Sequence, residues 1–149
     1  MYFILDVDGV LTNGKFLYSE EGKVYKEFGP HDAFSLNSIS KHLKIHFVSA
    51  DKRGFKISQK RIVDMGFELT HVTEQERYDF ISSNYKMDKL IFMGDGDADS
   101  KILNEAFIGI APNNARPSAK SAADYITDCN GGEGAVAEAC DWLVKELDL

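Results

Sequence analysis

"FILDVDGVLTNG", residues 3–14, carries a short apolar run into two aspartates one residue apart, Asp6 and Asp8, and follows the second with Gly9. The first residues read as a buried strand, and the acids fall where that strand ends. With this first run taken as YFILD (2–6), comparable runs follow as KIHFVSA (44–50), ELTHV (68–72), KLIFMGD (89–95), FIGIA (107–111) and DYIT (124–127). The stretches between them are long enough for helices, and strands alternating with helices imply parallel pairing through right-handed crossovers. The expected fold is α/β: a Rossmann-like open parallel sheet with helices on both faces. In the helical stretches, Ile57, Arg61 and Met65, and then Val136, Cys140 and Val144, are spaced to stack one face against the sheet.

One segment breaks the alternation. KFLYSEEGKVYKEF (15–28) alternates polar and apolar residues on both sides of EEG, and reads as a β-hairpin flap projecting after the first strand. Unsupported, its Phe16, Tyr18, Val24 and Phe28 would leave an apolar ribbon in water, so the hairpin is expected at a subunit interface.

The chain has 149 residues, suited to a single domain spanning 1–149 without a cap domain. A formal net charge of -7 argues against nucleic acid and anionic lipid surfaces as partners, leaving small ligands that arrive with a cation. Cys129 and Cys140 lack metal-type spacing, and no charged and then apolar leader precedes Tyr2. These features are read as a cytoplasmic protein with reduced thiols.

Open parallel sheets bind ligands at the carboxyl ends of their strands, near the point where strand order reverses. The first run delivers Asp6 and Asp8 there, the second Ser49 and Asp51, and the run at 89–93 delivers Asp95, Asp97 and Asp99. Asp6, Asp8 and Asp95 gathered together would repel one another without a cation, and hard oxygen ligands favour Mg²⁺. Against a metal-clamped phosphoryl group, a carboxylate such as Asp6 can attack phosphorus and form an aspartyl-phosphate. Asp8 can then protonate the leaving alkoxide and later deprotonate water, while Gly9 lets backbone N–H groups face the phosphate and Ser49 donates a further hydrogen bond.

DVDGVLT (6–12), Ser49 and GDGDAD (94–99) resemble three motifs of the haloacid dehalogenase superfamily, whose phosphatases use an aspartyl-phosphate and Mg²⁺. The hairpin, IAPNNARPSAKSAADYIT (110–127) and GGEGAV (131–136) are similar to its small capless branch, which acts on octulosonate and nonulosonate phosphates. The resemblance implies Asp6 as nucleophile, Asp8 as acid and base, Ser49 as phosphate ligand, Mg²⁺ held by Asp6, the Asp8 carbonyl and Asp95, and Asp99 behind the metal. It further implies a homotetramer whose hairpins close neighbouring sites, and a small phosphorylated substrate of surface-polysaccharide synthesis. The branch carries a longer tail than the one ending here at Leu149.

Three departures bear on the site. Arg77, within TEQERYDF (73–80), stands nearest to the lysine that the branch carries at the head of that helix. SADKR (49–53) puts Asp51 where the branch has a cation, and PHDAF (30–34) puts His31 and Ala33 in a second substrate segment. Thr12, His31, Asp51 and Arg61 are therefore expected to touch substrate. An aspartate there would repel a carboxylate and welcome a hydroxyl pair or an ammonium group, so a sugar, polyol or amino-alcohol phosphate is expected ahead of octulosonate 8-phosphate. Asp51 can alternatively cap the helix that follows it.

Other classes fit less well. Asp95, Asp97 and Asp99 mimic the start of a calcium loop, but Ser100 replaces the required glycine and Ala106 the bidentate glutamate. A receiver domain would need its phosphoacceptor after the third strand, where HVTEQ (71–75) has no aspartate. A phosphomutase of the same superfamily would need a cap to exclude water.

Overall fold

The computed structural model describes residues 1–149. Its centre is β1 (Tyr2–Leu5), which pairs in parallel with β4 (Lys44–Ser49) on one side and β6 (Leu90–Met93) on the other. Outward from β4 lies β5 (Leu69–His71), and outward from β6 lie β7 (Ile108–Ala111) and the two-residue β8 (Tyr125–Ile126). The order β5-β4-β1-β6-β7-β8 reverses at β1, so the carboxyl end of β1 opens into the crevice where a ligand binds such a sheet.

Alternation along the strands divides the core in two. Phe3 and Leu5 face helices α1 (Asp32–Ile39), α2 (Phe55–Asp64) and α6 (Ala135–Glu146), whereas Ile4 faces α3 (Glu74–Asn84), α4 (Ser100–Glu105) and α5 (Pro117–Ala122). Phe3, Ile4 and Leu5 are wholly buried. Each contributes roughly 1.5–3 kcal/mol through burial. The strand that carries Asp6 is thus anchored on both faces. No helix is long and apolar enough to cross a membrane.

The helix stripes differ from the expected ones by a residue. On α2 the buried positions are Ser58 and Ile62, with Met65 following; Ile57 and Arg61 stay half-exposed at its edge. On α6, Val136 and Cys140 are buried, but Leu143 rather than Val144 completes the face. A helical turn of 3.6 residues lets either neighbour fill such a stripe, and contact with the sheet decides which.

The hairpin comprises β2 (Phe16–Ser19) and β3 (Gly22–Lys26), paired antiparallel with no strand from the main sheet beside them. Phe16, Leu17, Tyr18, Val24 and Tyr25 are exposed. Phe28 does not belong to that ribbon, because it packs against the core and beneath Arg61. The register slips between Leu17 and Tyr18, leaving Val24 as an extra residue in β3. A bulge of this kind re-aims side chains. Lys23 and Lys26, three apart and so on opposite faces of a regular strand, both turn toward the carboxyl end of the main sheet.

Candidate active site

Beyond β1 the Asp6 N–H donates to the Met93 carbonyl at 2.9 Å, carrying the chain one residue further along β6. It then turns back sharply, with the N–H groups of Val10, Leu11 and Thr12 all directed to the Val7 carbonyl. Val7, Val10 and Leu11 plug the core and fix this turn. Thr12 is wholly buried; its hydroxyl accepts from the Gly9 and Gly14 N–H groups at 3.2 and 3.1 Å. It braces the loop rather than lining the cleft, in contrast to the substrate contact expected of it. Gly9 has φ +85°, and a side chain there would collide with the Asp95 carboxylate, so glycine lets the two loops close on each other. Asn114 ties the same turn from another side, donating to the Gly9 carbonyl at 2.9 Å and accepting from the Gly131 N–H at 2.6 Å.

A cleft of about 380 Å³ opens above this turn, bounded by Asp6, Asp8, Phe16, Lys23, Ala50, Asp51, Glu74, Arg77, Asp95 and Asp99 among others. Arg77 reaches it from α3. Thr73 caps that helix by accepting the Glu76 N–H at 3.3 Å, and Arg77 shares the buried face with Ile81 one turn later. The Arg77 guanidinium donates through one nitrogen to Asp6 Oδ2 at 3.0 Å and to Asp99 Oδ1 at 2.6 Å. Burial works against its charge, but Asp6 and Asp99 outweigh burial and hold it above its usual value.

Asp6, Asp95 and Asp99 each present an oxygen within 4.8 Å of the others. Asp99 is fully engaged, since its second oxygen accepts the N–H groups of Asp95 and Gly96 at 3.1 and 3.0 Å. Burial pushes the Asp6 carboxyl well above the usual carboxylate range; Arg77 opposes this, and Asp99 and Asp95 add to it. Burial and then Asp99 push Asp95 up to about 7, and no cation pairs with it directly. Three carboxylates thus face one guanidinium, which leaves two negative charges to be met by a hard divalent ion. The donor set is all oxygen and partly desolvated, and it fits Mg²⁺.

Asp8 points the other way, into an ionic chain from the hairpin. Lys26 Nζ lies 2.8 and 3.0 Å from the two Asp8 oxygens, 2.7 Å from Asp51 Oδ2 and 2.9 Å from the Ser58 hydroxyl. Lys23 Nζ continues the chain at 2.7 Å from Asp51 Oδ1. Asp51 also accepts the Gly54 N–H at 3.1 Å, ahead of α2. Lys23 and then Lys26 hold it down at about 2, against burial. This corrects the premise that Asp51 offers a free negative charge to substrate. Ser49 is buried at the end of β4, its hydroxyl accepting the Asp51 N–H at 3.1 Å, next to Ala50 on the cleft wall.

Two expected substrate contacts lie elsewhere. His31 is exposed at the start of α1 and borders a separate hollow with Phe34, Cys129 and Glu138. Arg61 donates to the Gly29 carbonyl at 3.2 Å over the Phe28 ring, securing the exit of the hairpin. The sequence reading passed over Lys23, Lys26, Ser58 and Asn114. The bulge that turns both hairpin lysines to one side leaves no mark in the polar–apolar pattern.

Residues 79–139, from α3 into α6, match the family model for haloacid dehalogenase-like hydrolases. The 3-deoxy-D-manno-octulosonate 8-phosphate phosphatase KdsC of Escherichia coli K12 is 28% identical over 95% of this chain and 77% of its own length. The Haemophilus influenzae KdsC is 26% identical over 97% of this chain and 82% of its own. Among solved structures, the Moraxella catarrhalis 3-deoxy-D-manno-octulosonate 8-phosphate phosphatase, in complex with magnesium, phosphate and KDO, superposes with a TM-score of 0.85 at 25% identity, covering 97% of this chain and 85% of that one.

Proposed function

We propose that the chain is a phosphatase of the haloacid dehalogenase superfamily, similar to the octulosonate 8-phosphate phosphatases, with Asp6 its nucleophile and Asp8 its acid and base. The observation that carries this reading is the placement of Asp6 at the switch point, with Arg77 on one oxygen and the Val7 N–H on the other at 2.8 Å. These contacts orient the carboxylate and restrain its charge.

Asp6 attacks the phosphorus of a phosphomonoester, and the bond from phosphorus to the ester oxygen breaks. Asp8 gives its proton to the departing alkoxide. It then takes a proton from water, whose oxygen attacks the aspartyl-phosphate and releases inorganic phosphate with Asp6 restored. Ser49 donates to the transferring group, and Arg77 balances charge on Asp6 in place of a lysine. Asp6, the Asp8 carbonyl and Asp95 would hold Mg²⁺, with Asp99 behind them; when bound, the ion would draw phosphoryl charge away from phosphorus and lower repulsion toward the attacking carboxylate.

The substrate is a small phosphorylated sugar, sugar acid, or polyol or amino-alcohol derivative, met in the cytoplasm during synthesis of a capsule or lipopolysaccharide precursor. Octulosonate 8-phosphate itself is the second reading, favoured by the names of the relatives and by the ligands of the Moraxella complex. Residues 1–149 act as one domain, and the apolar hairpin supports a homotetramer in which each flap closes a neighbour's cleft. Phosphate release across phosphorylated sugar acids, alditols and amino alcohols tests the reading. Turnover with Mg²⁺ and silence after chelation are expected, and absence of turnover on every ester overturns it.

A further inference from the structure

Lys23 enters the cleft from the hairpin with its ammonium 2.7 Å from Asp51 Oδ1 and 4.2 Å from the centre of the Phe16 ring. The bulge at Val24 sets it there, on the same side as Lys26. What each group still has to offer a ligand follows from its partners. Asp51 Oδ1 accepts the Gly54 N–H and is ion-paired with Lys23, and the charge at Oδ2 is met by the Lys26 ammonium. Lys26 is wholly enclosed, and its ammonium is taken up by Asp8, Asp51 and Ser58. Lys23 is different. An ammonium has three donors, Asp51 occupies one, and the aromatic face beneath it accepts no conventional hydrogen bond. Its side chain keeps 15% of its surface, open to the cleft.

The group with unused capacity at this end of the cleft is therefore a cationic donor, held in place by the aspartate beside it. Resting on the phosphatase reading above, we propose that Lys23 is a specificity-determining residue that selects phosphomonoesters carrying a carboxylate remote from the phosphate. A carboxylate matches a single ammonium in charge and accepts from both free donors. A second phosphate would bring almost twice that charge toward Asp8, Asp51 and Asp95, which share the cleft.

The test compares two esters of equal chain length, 6-phosphogluconate and sorbitol 6-phosphate, which differ in a carboxylate against a hydroxymethyl group. The wild type is expected to favour the acid. In Lys23→Met, which keeps the aliphatic stem over Phe16, the ratio of kcat/KM for the pair should fall about 10- to 100-fold, the usual worth of a hydrogen bond to a charged group. Damage to the hairpin as such lowers both rates and cancels in the ratio. Lys23→Arg should keep most of the preference. A wild type that does not favour the acid, or a Lys23→Met enzyme with an unchanged ratio, overturns the assignment. Hydrolysis of p-nitrophenyl phosphate with Mg²⁺ is read alongside. If it persists while the ratio stays fixed, only the role of Lys23 is wrong; if it is absent, with both sugar esters inert, the phosphatase reading fails and Lys23 with it.

Discussion

Lys26 Nζ stands between Asp8 and Asp51, 2.8 Å from one carboxylate and 2.7 Å from the other, so that the hairpin is tied by charge to the turn that follows β1. The Lys26 side chain is fully buried while Asp8 keeps 29% of its side-chain surface. Lys26→Met strands a carboxylate pair behind the flap. Breaking a buried pair costs about 3–5 kcal/mol, and the exposure of Asp8 puts this one toward the lower figure. Urea unfolding should show that loss, and kcat should fall because Asp8 is no longer held. Unchanged values for both would remove Lys26 from the site.

Asp6→Asn should abolish turnover, since an amide does not attack phosphorus, while the fold persists because the residue stands at a strand end. Asp8→Asn should lose about 10² to 10⁴ in rate, the usual worth of general acid and base help. Near-normal turnover in Asp8→Asn would contradict its role.

Metal affinity should depend on pH with a definite sign. In the metal-free protein Asp95 titrates near 7 and Asp6 is also raised, both well above the ordinary range near 4. Groups raised in this way favour the folded state below their unfolded values, and that contribution is lost as pH rises from about 4 through 7. A cation replaces the missing protons. Thermal unfolding should therefore show Mg²⁺ raising Tm strongly at pH 8 and little at pH 5, and an equal shift at both would refute the site.

Arg77 is the only cation touching Asp6 and Asp99. Arg77→Ala leaves three carboxylates facing one another and should destabilise by about 3–5 kcal/mol. Mg²⁺ or acid should recover part of that loss. Arg77→Lys keeps the charge and one nitrogen able to meet both carboxylates, but loses the rigid planar group that fixes where that nitrogen sits, so kcat should fall while stability largely survives. A calorimetric scan paired with a phosphate-release assay separates the two effects.

Leu17, Tyr18 and Tyr25 are each more than 60% exposed on the hairpin. Replacing Leu17 and Tyr25 together by Ser should shift the assembly toward monomer in sedimentation and raise KM. A fully active wild-type monomer at micromolar concentration would rule out the flap as an interface.

The strand pattern, the parallel sheet and the convergence of Asp6, Asp8, Asp95 and Asp99 were legible in the chain because each depends on local order. Apolar runs mark strands, and the sheet sends every strand's end to the same edge. Arg77 could be named on its position in TEQER, although its bonds to Asp6 and Asp99 depend on how α3 packs. Thr12 turned inward because the loop itself needed its hydroxyl, and His31 and Arg61 fell outside the cleft because α1 and the hairpin exit carry them past its rim. The pairing of Asp51 was beyond the sequence altogether. Its partners lie more than twenty residues earlier, on a strand whose bulge reverses the facing of one lysine, and a single extra residue in a ladder is an outcome of pairing that composition does not record. The acids and the sheet that gathers them follow from local order along the chain, whereas which of their charges are already answered from within follows from how the hairpin and α3 pack against that sheet.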